Sequence, residues 1–436
     1  MSRVLIITRR DSYRTVAFIR ACARLDLDLV LAADGPVTIV SPSHRGVVVD
    51  FSDPLRSLCE LRREFARKPP CAVIGTDDQT IEFAALVAQD FNIPGNTLQA
   101  ISSSRRKDLA RACFAAANLL VPRYQSVGSD CPDALKRDLV RYPCVVKPAS
   151  LSASRGVIRA DNDVELDTAL KRVRRILETE GRSGTDAIVL VEDFIAGIEV
   201  AIEAVIDGGR VLLLAVFDKP DPLQGPYFEE TYYISPSRLS KDAQSMLQAD
   251  LQRACEALGL THGPVHAECR INNEGIWWLE IASRTIGGDC ARIFPLAIGF
   301  SLEELILRHA IGDDLSRLPA VPGAGILMLP VPCGGVLRRI EGLSAARQVP
   351  YIEEIIIDVR EGQILTPWPE GCSYPGFIFA KAPSAALAER ALRYAHDCLH
   401  FVVAPHLPVA LAGPPIAQDR SQSGVTATLP FALTSI

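Results

Sequence analysis

The sequence predicts an α/β protein with an open parallel sheet at the N-terminus, a ligand-holding middle region, and an α+β extension at the C-terminus. Three patterns carry this reading. Over about residues 1 to 100, short apolar runs alternate with helical stretches, as βαβ units require. A β-hairpin at 265–281 gathers acidic residues on one face. After Leu307, strand-like segments at 323–332, 352–359 and 376–381 precede a helical run at 385–398.

The N-terminal elements follow in order: a strand at 4–7, a helix at 12–25, a strand at 29–32, a strand at 47–49, a helix at 55–65, a strand at 71–74 and a helix after Asp78. Open parallel sheets bind ligands beyond the carboxyl ends of their strands. Thr8, Arg9 and the Gly75-Thr76-Asp77-Asp78 turn are therefore cleft candidates, although capping of the next helix by Asp77 or Asp78 is the preferred alternative. Ile93-Pro94-Gly95-Asn96 breaks the pattern, and Ser102-Ser103-Ser104 reads as a linker before a helix carrying Lys107. A lysine at a helix start opposes the helix dipole, so either a bound anion or plain surface exposure accounts for it.

Residues 144–148 form a short strand bearing Lys147, followed by a loop of small residues that includes Ser150, Ser152, Ser154 and Gly156. Successive N–H groups and hydroxyls can cradle phosphate oxygens, with the lysine as a point charge; a plain linker is the other reading. The strand 188–192 and the alternating strand 200–206 flank a connector with Phe194, Ile195 and Glu199. That connector can hold an adenine against main-chain groups and offer a carboxylate to ribose hydroxyls, or can simply join two strands.

In the hairpin, a three-residue loop with Asn273 and Glu274 in a type I turn and Gly275 left-handed pairs Asn272 with Ile276 and sets Glu268 opposite Glu280. Val265, Ala267, Cys269 and Ile271 then share a buried face with Trp277, Leu279 and Ile281, while His266, Glu268 and Glu280 share the other. Facing carboxylates repel unless positive charge lies between them, and oxygen donors suit Mg²⁺, so the hairpin reads as a metal–nucleotide site. A two-residue loop would put the carboxylates on opposite faces.

Composition narrows the class. The chain has 436 residues, 48% of them hydrophobic, enough for two to four domains with their own cores. No run approaches the roughly 18 apolar residues of a membrane span, and residues 1–10 lack a signal-peptide core, so the expected compartment is the cytoplasm. Twelve cysteines without a C-x-x-C pair suggest reduced thiols, most of them small core residues. A net charge of −6 gives no reason to expect nucleic acid, and the basic run 171–175 reads as a solvated helix face. Without a G-x-G-x-x-G loop a dehydrogenase reading lacks its fingerprint.

Taken in order, Lys107, VVKPA with its Ser/Gly loop, VEDFIAGIEV, HAECR and LEIASRTIGG resemble the ATP-grasp superfamily, in particular its L-amino acid ligases and related carboxylate–amine ligases. The resemblance spans about residues 1 to 400. It implies an ATP-grasp fold divided into an N-terminal α/β domain (1–104), a nucleotide-binding region (105–320) with a lid at about 123–195, a C-terminal ligase- or biotin-carboxylase-like domain (321–405), and a poorly ordered tail (406–436). It further implies that Lys107, Lys147, Ser152, Ser154 and Gly156 contact ATP phosphates, Glu192, Phe194 and Ile195 the adenine, and Glu199 the ribose. Glu268 and Glu280 would hold Mg²⁺ or Mn²⁺. Arg284, with Lys147 the expected catalytic pair, would contact the transferred phosphoryl group or the acid, and Glu230, His266 and Gly287 would face substrate.

The reaction so implied is phosphorylation of a carboxylate by ATP and attack of an amine on the acyl phosphate, with amino acids as substrates and a homodimer as the assembly. A biotin-carboxylase-like activity and a catalytically silent nucleotide-binding protein are the alternatives. One residue departs from the family pattern: Ala282 stands where an Asn is usual between Glu280 and Arg284, so Ser283, Asp289 or water would have to supply the missing ligand.

Overall fold

The computed structural model describes residues 2–35, 45–128, 135–315, 317–319 and 322–405; the predicted tail lies outside the described residues. At the N-terminus, β1 (Arg3–Thr8), β2 (Asp28–Ala33), β3 (Arg45–Val48) and β4 (Ala72–Gly75) form a parallel sheet in the order β3-β2-β1-β4. All of β1 is buried because helices cover both faces. Val4 and Ile6 pack on Phe18 and Cys22 of helix Thr15–Arg24, while Leu5 and Ile7 pack on Leu58, Leu61 and Val87 from helices Pro54–Glu64 and Ile81–Asp90.

Neither aspartate of the 75–78 turn caps the following helix, contrary to the expectation. Thr80 is its N-cap, without a side-chain bond. Asp77 folds onto its own turn, accepting from the Gln79 N–H at 3.1 Å, and Asp78 is drawn across to Arg284. The serines 102–104 are helical rather than a linker, lying in helix Leu98–Arg105 with Thr97 as cap, and helix Lys107–Ala116 follows at once.

The lid comprises β5 (Tyr124–Val127), β6 (Cys144–Pro148), β7 (Ile158–Ala160) and β8 (Val189–Asp193), antiparallel in the order β5-β8-β6-β7. Helix Asp163–Thr179, capped by Asn162, packs Leu166, Leu170 and Val173 against it. The basic run 171–175 on this helix is not wholly solvated. Arg172 forms a two-pronged pair with Glu370, with Nη2 to Oε2 at 2.7 Å. Three further bonds tie the lid to the same segment: Trp368 Nε1 donates to the Ala153 carbonyl (3.0 Å), Gly156 N to the Pro369 carbonyl (3.0 Å) and Arg155 Nε to the Glu370 carbonyl (3.1 Å).

The remaining strands are β9 (Ile198–Asp207), β10 (Arg210–Lys219), β11 (Tyr232–Ser235), β12 (Gly263–Asn272), β13 (Gly275–Ala282), β14 (Gly323–Met328), β15 (Gly335–Glu341), β16 (Ile352–Ile357), β17 (Ile364–Leu365), β18 (Gly376–Ala382) and β19 (His400–Ala404). An eight-stranded sheet runs β13-β12-β9-β10-β11-β14-β18-β16, and β17-β15-β19 form a small sheet of their own. The large sheet thus passes through the expected boundary at 320/321, because β14 pairs with β11. Helix Ala385–Asp397 covers β14 and β18 with Ala388, Ala391, Leu392 and Ala395. No helix among the described residues is long and apolar enough to cross a membrane. Among the described residues eleven cysteines are free thiols, and of these Cys22, Cys144, Cys255, Cys269 and Cys290 are buried, fewer than the expected majority.

The hairpin β12–β13 reaches the expected carboxylate pairing by another route. Asn272 pairs with Gly275, a two-residue loop, and Asn272 Oδ1 accepts from the Glu274 N–H at 2.9 Å. A bulge at Leu279 then inserts one residue, so Cys269 faces Trp278 while Glu268 faces Glu280. The shift exchanges the tryptophans: Trp278, not Trp277, enters the core beneath helix Lys241–Leu258, and its Nε1 donates to Asp250 at 2.9 Å. Leu279 leaves the core and lines the cavity described below. Val265, Ala267 and Cys269 are fully buried as predicted.

Gly197, in the β8–β9 connector, has φ +150°, and a Cβ there would lie 2.5 Å from the Ile271 carbonyl oxygen. Both the backbone conformation and the contact exclude a side chain. Gly197→Ala is expected to lower stability by about 2–4 kcal/mol, read as a lower urea midpoint; an unchanged midpoint would show that the connector shifts freely.

Candidate active site

A cavity of about 320 Å³ lies between the lid, the large sheet and the N-terminal sheet. Alternation along β9, β12 and β13 builds its floor: Val200, Ile202, Ala204, Val265, Ala267 and Cys269 face the core, and the intervening residues Glu199, His266, Glu268, Arg270 and Glu280 face the cavity. The lid contributes Lys147, Ser152, Ser154, Glu192, Phe194 and Ile195. Arg284 and Gly287 come from the segment after β13, Glu230 from the approach to β11, and Tyr13, Asp77 and Asp78 from the N-terminal domain. Ile286, Cys290, Met328 and Tyr374 form an apolar end.

One predicted residue stands apart. Gly156 does not line the cavity: its N–H is bonded to Pro369, and a Cβ there would press on Pro148 at 3.2 Å with φ at +74°. It is a packing and turn glycine of the lid rather than a phosphate donor. Thr8 and Arg9 also lie off the cavity; Thr8 is buried and bonds Thr15 (2.9 Å) and Thr76 (3.2 Å).

Charge pairing organises the floor. Lys219, at the end of β10, bonds Glu268 at 2.7 Å, Glu230 at 2.8 Å and Glu199 at 3.0 Å. Lys107 is buried rather than a surface lysine; its Nζ lies 2.7 Å from the Leu151 carbonyl and 3.0 Å from Glu280. The facing carboxylates Glu268 and Glu280 thus each meet an ammonium, and these bonds use one oxygen of each. Burial works to lift the Glu268 carboxyl, but Lys219 and His266 hold it well below the usual range. For Glu230, burial and the neighbouring Glu268 charge outweigh Lys219 and push the carboxyl up to about 7.

Deeper in the lid, Glu192 pairs with Lys147 and with Arg111 (Nε at 3.2 Å). Its carboxylate is therefore turned to cations, and its main chain lies in the ladder between β5 and β6. Burial pushes Lys147 down to about 8 despite Glu192. Glu199 has both oxygens engaged, Oε1 by Lys219 and Oε2 by Arg270 at 2.8 Å. The guanidinium carbons of Arg159 and Arg270 lie 4.7 and 4.9 Å from the centre of the Phe194 ring. Phe194 N–H donates to Pro143, and the Ile195 carbonyl accepts from Arg270 at 2.7 Å. Arg284 is buried, bonded to Asp78 at 2.8 Å and to the Thr285 carbonyl at 2.9 Å.

Ala282 is buried opposite His266 and does not line the cavity. Neither expected substitute reaches it: Ser283 bonds Ser104 at 3.0 Å, and Asp289 faces Arg292 at 3.4 Å. The third carboxylate beside Glu268 is Glu230 instead.

Arg111, Arg270 and Glu203 escaped the sequence reading, Lys219 was given no role of its own, and Asp78 was a cleft candidate set behind a capping role. For Lys219 half a signal existed: Asp207-Gly208-Gly209-Arg210 reads as a two-residue hairpin turn, but the bulge at Leu214 that pairs Lys219 with Glu199 leaves no mark in the sequence.

A nucleotide-sized cavity roofed by an antiparallel lid and floored by lysine-bound carboxylates defines an ATP-grasp protein. Residues 140–293 match the ATP-grasp domain family, and residues 327–404 match L-amino acid ligase C-terminal domain 2. The crystal structure of L-amino acid ligase from Bacillus licheniformis superposes with a TM-score of 0.76 at 25% identity, covering 93% of this chain and 99% of that one. D-alanine–D-alanine ligase of Syntrophotalea carbinolica is 31% identical over 40% of this chain and 56% of its own length. Alanine–anticapsin ligase of Bacillus subtilis is 24% identical over 54% of this chain and 53% of its own. The chain thus carries an ATP-grasp domain at 140–293 and an L-amino acid ligase C-terminal domain at 327–404, and over most of its length it is similar to a carboxylate–amine ligase.

His266 gives the floor a pH-dependent stability. Its Nδ1 lies 2.6 Å from Glu203 and its Nε2 3.5 Å from Glu268. Burial opposes its charge, but the two carboxylates raise the ring to about 9. Because the folded value lies above the unfolded one, its contribution is full below about pH 6.5 and is lost as pH rises through 9. Urea unfolding between pH 6.5 and 9.5 is expected to show wild type losing about 3 kcal/mol more than His266→Asn; parallel profiles would contradict a charged His266.

Proposed function

We propose that this cavity binds ATP with Mg²⁺ or Mn²⁺ and joins the carboxylate of one amino acid to the amine of another through an acyl phosphate, releasing ADP and phosphate. The observation that carries the reading is the facing pair Glu268 and Glu280, each held by a lysine, beside Lys147 and Arg284. Phosphoryl transfer asks a protein for positioning and charge neutralisation rather than a covalent nucleophile, and this cavity offers cations and carboxylates in that arrangement.

The adenine packs at the connector of Phe194 and Ile195, where Arg159 and Arg270 fix the aromatic ring. Glu199 accepts from ribose hydroxyls with the lone pairs that Lys219 and Arg270 leave free. Lys107, Lys147, Ser152 and Ser154 contact the phosphate chain. Glu268 and Glu280 suit a hard divalent cation, which supplies neutralisation of the β- and γ-phosphate oxygens when bound. Arg284 holds the acid's carboxylate or the transferred phosphoryl group, and Asp78 holds Arg284. The apolar end at Ile286, Cys290, Met328 and Tyr374 receives a side chain of the acid, near Gly287 and His266. Glu230 sits at neutral pKa beside this region and takes a proton from the attacking ammonium. The closed lid keeps water from the acyl phosphate.

Products test the mechanism. Turnover is expected to yield ADP and orthophosphate in step with amide, and hydroxylamine in place of the amine is expected to trap a hydroxamate; AMP and pyrophosphate would refute an acyl phosphate route. Glu268→Gln or Glu280→Gln is expected to abolish turnover with an unchanged circular dichroism spectrum, and near-normal turnover in either would remove the pair from the site.

Glu230→Gln separates the proton step from binding. The variant is expected to lose about 10²- to 10⁴-fold in kcat together with the acid limb of the pH–rate profile near 7. A retained limb would assign that titration to another group.

A further inference from the structure

A second group of ligating side chains lies at the far end of the strands that floor the cavity. β9 presents Glu199 to the site and ends at Asp207; β12 starts just after His262, four residues before His266. At roughly 3.3 Å per residue the two ends are about 13 Å apart. His309, in the last turn of helix Leu302–Ala310, completes the group. One ligand atom from each of Asp207, His262 and His309 lies within 4.8 Å of the others. The imidazole rings are 4.8 Å apart at 37°, beside a hollow of about 360 Å³ between the N-terminal domain and the large sheet.

The histidines are held in place before any ligand is considered. Asn96 clamps the main chain of His262, accepting from its N–H at 3.1 Å and donating to its carbonyl at 2.7 Å. His309 is 8% exposed, yet its Nε2 has no hydrogen-bond partner among the described residues. A buried ring nitrogen without a partner is uncommon and calls for a missing one. Burial, with the adjacent His262, pushes the His309 ring down to about 4. Burial also lowers His262. In both rings burial thus disfavours the charged form and favours the lone pair that a metal requires.

We propose that Asp207, His262 and His309 form a second metal site, separate from the nucleotide site, for a divalent cation of the zinc class with water as a further ligand. Two imidazoles and one carboxylate favour Zn²⁺, Co²⁺ or Ni²⁺ over Mg²⁺, which prefers oxygen alone. Three protein ligands at about 2.0–2.2 Å leave a fourth tetrahedral position for water. To reach those distances the ligands must draw together, and the geometry allows it. The imidazoles sit on fixed elements, while Asp207 is exposed at a hairpin corner beside Gly208 and Gly209, both at positive φ. The ion would join the loop at Asn96, the β9–β12 edge and helix Leu302–Ala310, three segments distant in sequence.

The test uses the full chain, freed of metal by chelator dialysis and titrated with ZnCl₂, with CoCl₂ as a spectroscopic substitute. Expected are one equivalent of Zn²⁺ retained in the Glu268→Gln/Glu280→Gln double variant, visible ligand-field bands of four-coordinate Co²⁺, and a Tm raised by about 2–4 °C on saturation. His309→Ala should remove that equivalent, the bands and the Tm shift. Because the buried His309 position risks misfolding, His262→Gln and Asp207→Asn, at less buried positions, should each weaken Zn²⁺ binding at least tenfold with folding intact. Zn²⁺ binding untouched by all three substitutions, or lost only in the glutamate double variant, would overturn the proposal.

Discussion

Three carboxylates converge on the single ammonium of Lys219, and the rest of the cavity takes its shape from that convergence. Glu199, Glu230 and Glu268 come from three different segments, and packed together without a cation they would repel one another at a cost no apolar contact nearby could offset. With Lys219 in place, Glu268 stays ionised while Glu230 is left near neutrality. Two similar carboxyls thereby acquire different chemistry from their surroundings. The second lysine of the floor, Lys107, reaches Glu280 at 3.0 Å from the start of a helix.

That convergence depends on strand register, and register depends on two extra residues. A bulge at Leu214 aligns Lys219 with Glu199, and a bulge at Leu279 aligns Glu280 with Glu268. Without them, strict alternation from the Gly208-Gly209 and Asn273-Glu274 turns would carry Lys219 and Glu280 past their partners, to the opposite face of the sheet. Bulges near active sites commonly re-aim a side chain in this way, and here they do so on both hairpins of the floor.

The same detail explains what was legible in the sequence. Alternation of apolar and helical runs was sufficient for the parallel N-terminal sheet, since β1 is buried on both faces and reads as a continuous apolar run. The order of short motifs located the lid lysine, the connector at Phe194 and the carboxylate pair. Bulges leave no such trace: the Glu268–Glu280 pairing was reached through a loop of the wrong length, and Trp277 was placed where Trp278 lies. Groups whose role depends on distant partners were equally silent. Asp78 read as a helix cap because its partner, Arg284, is more than two hundred residues away, and Arg172 read as solvated because Glu370 is 198 residues away.

The lid is fastened to the segment 368–370 by Trp368, Pro369 and Glu370, and Tyr374, four residues past Glu370, forms part of the apolar end of the cavity. The rings of Trp368 and Tyr374 lie 4.9 Å apart. On the proposed reading, the wall that would receive a substrate side chain is continuous with the latch that would shut out water. A side chain that displaced Tyr374 would then push on the latch as well, coupling selectivity to protection of a hydrolysable intermediate.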